Sequence, residues 1–114
     1  MEILAERDFL CSICGKHAAT VQLRAGQVAI ESFACRSESS ISPSDEETLR
    51  AAISSGDMRA LHECDSEFAP FFCPRCNACY CGEHWKHWDV FEDDGWFDCV
   101  QGICPQGHER TLVD

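Results

Sequence analysis

Long apolar runs are missing from this 114-residue chain. Nothing in it approaches the ~18–20 consecutive apolar residues of a membrane span. Basic residues are scarce as well: 9 Lys and Arg stand against 20 Asp and Glu, a net charge of −11. Such a chain is poorly matched to nucleic acid, because neutralising phosphates takes clustered Lys and Arg, and those here are spread along the sequence. Met1-Glu2-Ile3-Leu4-Ala5-Glu6-Arg7-Asp8 has neither a basic n-region nor an apolar h-region, so no secretory signal is read there and the expected setting is cytoplasmic. Catalytic signatures are also wanting. There is no His-Glu-x-x-His, no Gly-x-Ser-x-Gly, and no His-x-Glu with the downstream Pro-Cys-x-x-Cys of zinc deaminases. The expectation is therefore one domain spanning 1–114, without a membrane or nucleic-acid partner and without a catalytic constellation.

What the sequence has in excess is cysteine, ten in all. An even number raises a disulfide framework, but a reducing cytosol opposes one, and the spacing points to metal. The residues fall into close pairs joined by histidine: Cys11-x2-Cys14, Cys73-x2-Cys76, Cys81-x2-His84 and Cys104-x3-His108. Pairs this close suit a tight turn that aims two donors at one ion. Four pairs supply eight ligands, enough for two closed tetrahedral sites, and the histidines favour zinc over iron. Cys73-Pro74-Arg75-Cys76 also has the form of a thioredoxin-like redox motif, but further thiols at Cys79 and Cys81 fit a metal cluster better. Cys35, Cys64, Cys79 and Cys99 are left over and read as small buried hydrophobes. Cys79 and Cys99 lie close enough to the pairs to substitute for a ligand. Among His17, His62 and His87, His17 is the best substitute, three residues after Cys14.

Three segments follow from the pattern. Residues 9–35 read as a knuckle and a hairpin, with Ala18–Leu23 and Val28–Phe33 flanking a turn at Gly26. Residues 36–67 read as a polar, mobile loop over Arg36–Pro43 and a helical insert. Its first helix has Ser44 and Glu47 at capping-box spacing and a stop at Gly56, and its second is capped by Asp57. Residues 68–114 hold three of the four ligand pairs and most of the aromatics. There Cys81–Trp85 is expected to open a short helix, and Asp94-Gly95 to turn a second hairpin. The expected fold class is a small α+β zinc-stabilised domain: two short β-hairpins with zinc knuckles, a helical insert and a short helix. The eight donors can be divided sequentially, locally or in an interleaved way. By spacing alone all three stay open.

Cys11, Cys14, Cys73, Cys76, Cys81, His84, Cys104 and His108, with Pro105 after the last pair's cysteine, resemble the ligand series of cross-brace zinc domains: RING, B-box and their treble-clef relatives. The chain differs from RING domains in the length between the first two pairs and in ending on Cys-Pro-x-x-His. Phe71-Phe72-Cys73-Pro74 through Tyr80-Cys81-Gly82-Glu83-His84-Trp85 is also similar to small uncharacterised bacterial zinc-ribbon-like proteins. The resemblance implies a treble-clef or zinc-ribbon-like fold and the interleaved pairing, with Cys11/Cys14 joined to Cys81/His84 and Cys73/Cys76 to Cys104/His108.

Eight donors for two ions leave no open coordination position, so the zinc is read as structural. Function then falls to the surface. Trp85, Trp88, Phe91, Trp96 and Phe97 either pack around the metals or form an exposed patch rimmed by Asp89, Glu92, Asp93 and Asp94, suited to a protein partner with a basic surface. The leading expectation is a protein–protein interaction module or adaptor. Two alternatives accompany it. One is a RING-like component of a ubiquitin-like ligation system, with Ile13, Trp88 and Pro105 as its groove. The other is an acidic inhibitor or immunity-type protein.

Overall fold

The computed structural model describes residues 2–113. They form an antiparallel four-stranded sheet, a helical pair that covers it, and two smaller sheets. The first sheet is a meander of β1 (Ile3–Leu10), β2 (His17–Arg24), β3 (Gln27–Ser32) and β4 (Arg36–Ser40). Val21 lies opposite Ile30 and Leu23 opposite Val28, so these four apolar side chains share one face. All four are buried, while Thr20, Gln22 and Arg24 alternate onto the other side. Gly26, at φ 72°, closes the β2–β3 turn.

Helix α1 (Pro43–Ser55) supplies the cover through Leu49, Ala52 and Ile53. Its N-cap is Ser42, whose hydroxyl accepts from the Asp45 amide at 3.3 Å, with Pro43 in the first turn. At the other end Gly56 takes the left-handed conformation, and Arg7 reaches from β1 to donate to the carbonyls of Ile53 and Ser54, both at 2.6 Å. A cation bonded to the last carbonyls is the favourable electrostatic arrangement for a helix C-terminus. Helix α2 (Met58–Cys64) follows, capped by Asp57, and a single 3-10 turn spans Ser66–Phe68.

The second sheet is a two-residue hairpin, β5 (Phe72–Cys73) with β6 (Ala78–Cys79). The third runs β7 (Lys86–Phe91), β8 (Phe97–Ile103) and β9 (Glu109–Val113), antiparallel in that order. One core cluster joins all three sheets. Phe9 of β1 stacks on Phe71 at 5.0 Å, and the Trp85 indole donates to the Phe71 carbonyl at 3.1 Å. Gly82 lies so close to Phe33 that an added Cβ would stand 2.7 Å from the Phe33 Cβ.

The α+β expectation is corrected. Among the described residues the structure is mostly β, 44% strand against 21% helix with the 3-10 turn included. The differences are local and have causes. Arg36–Ser40 is not a mobile loop but strand β4. It has no apolar residue to signal it, and its pairing with β3 supplies the backbone hydrogen bonds that fix it. Charged residues Glu6, Arg7 and Asp8 mask the alternation of the edge strand β1. The two expected hairpins are thus parts of four- and three-stranded sheets. Cys81–Trp85 makes one turn, with the His84 and Trp85 amides both donating to the Cys81 carbonyl at 3.0 Å, and not a helix. Strand β7 begins at Lys86 and leaves that turn no room to continue. The two insert helices form as expected, although α1 is capped by Ser42 and not Ser44.

Two candidate metal centres

Each knuckle is built by backbone hydrogen bonds around a cysteine that ends a strand. After β1, the Cys11 amide donates to the Lys16 carbonyl at 2.8 Å and the Gly15 amide to the Cys11 carbonyl at 2.9 Å. The Ile13 amide points at Cys11 Sγ, 3.4 Å away. The β8–β9 turn repeats the scheme. The Cys104 amide donates to the His108 carbonyl and the Gly107 amide to the Cys104 carbonyl, both at 2.9 Å, while the His108 amide points at Cys104 Sγ at 3.4 Å. A left-handed glycine closes both turns, Gly15 at φ 75° and Gly107 at φ 88°. The sequence hardly hints at this likeness, because one knuckle is Cys-x2-Cys and the other Cys-x3-His.

The eight paired residues assemble into two clusters, Cys11, Cys14, Cys81 and His84 in one and Cys73, Cys76, Cys104 and His108 in the other. This is the interleaved division. Within each cluster the candidate ligand atoms all lie within 4.8 Å of one another. Cys14 and Cys81 sulfurs are 3.6 Å apart, and Cys76 and Cys104 sulfurs 3.7 Å. His84 Nδ1 is 3.4 Å from both Cys11 and Cys81 Sγ. His108 Nδ1 is 3.5, 3.2 and 3.4 Å from the sulfurs of Cys73, Cys76 and Cys104. A tetrahedral ion with metal–sulfur bonds of about 2.3 Å and metal–nitrogen bonds of about 2.0–2.1 Å requires S···S edges of roughly 3.7 Å and S···N edges of roughly 3.5 Å. The donors fit such an ion in both clusters, and all ten cysteines are free of disulfides.

Thiol electrostatics point the same way. Burial opposes ionisation of Cys11, but hydrogen bonds from the Cys14, Cys81 and Ile13 backbone outweigh it and draw its pKa down to about 6. Burial likewise opposes ionisation of Cys104, yet the backbone of His108 and Gln106 lowers it. Cys73 is pushed up to about 11, first by burial and then by its neighbouring thiols. Each cluster therefore holds one thiol whose ionisation is eased, Cys11 or Cys104, beside one whose ionisation is opposed, Cys14 or Cys73. A bound dication removes that conflict.

The leftover residues stand apart from both clusters. Cys79 Sγ donates to the Leu10 carbonyl at 2.7 Å, and burial raises its pKa to about 11, so it stays a thiol. Buried Cys99 receives a contact from Gln101 Nε2 at 3.4 Å. Cys35 and Cys64 are half-buried, with burial raising both. His17 Nε2 meets Thr20 Oγ1 at 2.7 Å on the outer face of the first sheet.

Sequence reasoning missed two arginines that frame the second cluster. Arg59 donates to the Pro74 carbonyl at 2.7 Å and to Asn77 Oδ1 at 3.2 Å, and lies over the Phe72 ring. Arg110 donates to the carbonyls of Ser66 at 3.2 Å, Ala69 at 3.1 Å and Phe72 at 2.6 Å. Nothing local marks them. The only available signal concerned Arg110, which stands just after the last ligand His108, whereas Arg59 is beside no ligand pair.

His62 packs beside this frame, its ring 5.6 Å from Phe72 and its Nδ1 buried without a hydrogen-bond partner. Burial, then the charges of Arg110 and Arg59, hold its pKa below the usual value of 6.5. The unfolded chain then takes up this proton at a higher pH than the folded one. The associated stability is full above about pH 6.5 and is lost as pH falls through the lowered folded value. His62→Gln should therefore lose less stability than the parent between about pH 6.5 and 5.5. Parallel urea midpoints for the two proteins would contradict this.

Comparison with curated proteins and with solved structures gives no match. A family model does match, from residue 1 to residue 114, and the chain belongs to that family, described as Domain of unknown function (DUF8328).

Proposed function

We propose that the chain binds two zinc ions as structural elements, and that the scaffold they hold presents the β7–β8 hairpin to a protein partner, as an interaction module or adaptor. The metal reading is supported by Cys3His donor sets at tetrahedral spacing, with four donors per ion and no position left open for substrate. Ten unpaired thiols support a reducing compartment such as the cytoplasm.

One observation carries the interaction reading. Of the five aromatics at issue, Trp85 is core, but Trp88 is 39% exposed, Phe91 60%, Trp96 73% and Phe97 50%. Large aromatics left in water on one short hairpin are what a protein interface uses as anchors. The bulge between Val90 and Phe91 sets Phe91 opposite Phe97, edge to face at 6.1 Å, so the two rings brace each other.

Site-specific photo-crosslinking tests this in the native host. A photoreactive residue at Phe91 should give a discrete heavier adduct containing a second protein. The same residue at Thr48, on the far helix α1, should give none. Equal labelling from both positions, or none from Phe91, would refute the β7–β8 hairpin as a docking arm.

A further inference from the structure

We propose, resting on the arm reading above, that the β7–β8 hairpin takes an arginine-rich segment of its partner protein. The reason lies in where this molecule's own cations go. Arg7, Arg59 and Arg110 donate to backbone carbonyls inside the fold. Lys16, Arg24 and Arg36 are paired with Glu83, Glu38 and Glu31. No Lys or Arg occurs between Lys86 and Arg110.

The hairpin carries Asp89, Glu92, Asp93, Asp94 and Asp98 in that same interval, all exposed. Among the described residues none of these carboxylates has an ion-pair partner. Only Asp94 is engaged at all, accepting from the Trp96 amide at 3.0 Å within the turn. Five unneutralised carboxylates are thus interleaved with four exposed aromatic rings on one arm.

This combination selects its occupant. A guanidinium lies flat on an aromatic face and bonds a carboxylate through two parallel N–H groups, so arginine satisfies both halves of the surface together. A second copy of the chain would set carboxylate against carboxylate. Nucleic acid and an anionic membrane carry the same sign as the arm. An uncharged apolar partner would bury the rings but leave the acids at the rim without counter-charges. The arm is a single hairpin of two short strands, which suits a transient contact better than an obligate one.

Calorimetric titration of the full metal-loaded chain tests the idea. The probe is a peptide of about twelve residues with several arginines, and its control is the same peptide with each arginine replaced by uncharged citrulline. The arginine peptide should bind at least ~10-fold more tightly, and the gap should close in about 0.5 M salt. Trp96→Ala should weaken binding by about fivefold or more. The combined Asp89→Asn, Glu92→Gln, Asp93→Asn and Asp98→Asn variant should lose the preference for arginine. All five positions face solvent, and an unchanged melting curve will establish that the fold is intact. Equal binding of both peptides would overturn the choice of partner while leaving the arm standing. Arginine binding that neither variant weakens would place it elsewhere on this acidic molecule and overturn the proposal. Binding of neither peptide, together with no crosslink from Phe91, would remove both the partner and the arm.

Discussion

A strong zinc chelator at neutral pH should abolish the cooperative unfolding transition of this domain. The magnitudes leave little room for another outcome. Structural zinc in small domains contributes apparent free energies of about 10–16 kcal/mol per site at neutral pH, whereas a whole domain is stable by about 5–15 kcal/mol. Removing two such ions exceeds what the remaining core supplies. The loss should not be uniform. The first sheet has an apolar face of its own, covered by Leu49 and Ile53. The strands β5 and β6 pair over only two residues each, and the ends of their hairpin and of the Cys104–His108 turn are joined through the second cluster. Hydrogen exchange after chelation should therefore rise first from Phe68 onward. Protein purified without added metal should carry two zinc ions per chain. A melt unchanged by chelator would refute structural metal. A single ion per chain would mean that one cluster is not a metal site.

Arg110→Ala should cost about 2–3 kcal/mol, a large effect for a side chain outside the eight donors and the apolar core. One guanidinium satisfies three carbonyls from the 3-10 turn and β5. The residues that offer two of them, Ala69 and Phe72, are completely buried. Truncation leaves the Phe72 carbonyl without this donor and the Ala69 carbonyl with only the Phe72 amide at 3.1 Å, in a place where water cannot replace it. Arg110→Lys keeps the charge but cannot reach three acceptors with one ammonium, so it should recover part of the loss. Phe72 precedes Cys73, so the same variant should also yield its second metal to a competing chelator about tenfold more readily. A melting temperature within a degree or two of the parent's would show that the carbonyls find other donors.

The two Cys/His clusters were more legible in the sequence than the fold. Ligand spacing is set by short turns, and Cys11-x2-Cys14 or Cys104-x3-His108 can be read without knowing what surrounds it. Helices α1 and α2 were legible for a similar reason, since Gly56 and Asp57 act on their own neighbourhood. The strands were not. β4 is Arg-Ser-Glu-Ser-Ser, whose conformation comes from the partner strand and not from its composition. β1 carries three consecutive charged residues at a sheet edge, where one side of the pattern is free to be polar. The role of the aromatics was also undetermined. Trp85 and Trp88 lie three residues apart, yet the first is core and the second exposed. Only the end of the Cys81 turn and the start of β7 decide which is which.

The interleaving of the two clusters sets the order of events during synthesis. The first cluster joins Cys11 to His84, so it cannot close until His84 has been translated. At roughly 5–20 residues per second, Cys11 and Cys14 wait about 4–15 seconds as unliganded thiols on a growing chain. The second cluster closes later, at His108, but its thiols wait for less, since 35 residues separate Cys73 from His108 against 73 between Cys11 and His84. Interruption of translation between these residues would release a fragment with bare dithiols and an open sheet edge. The newborn chain is therefore most open to oxidation and misassembly during elongation, and on the proposed reading a supply of zinc matters most while the polypeptide is still being made.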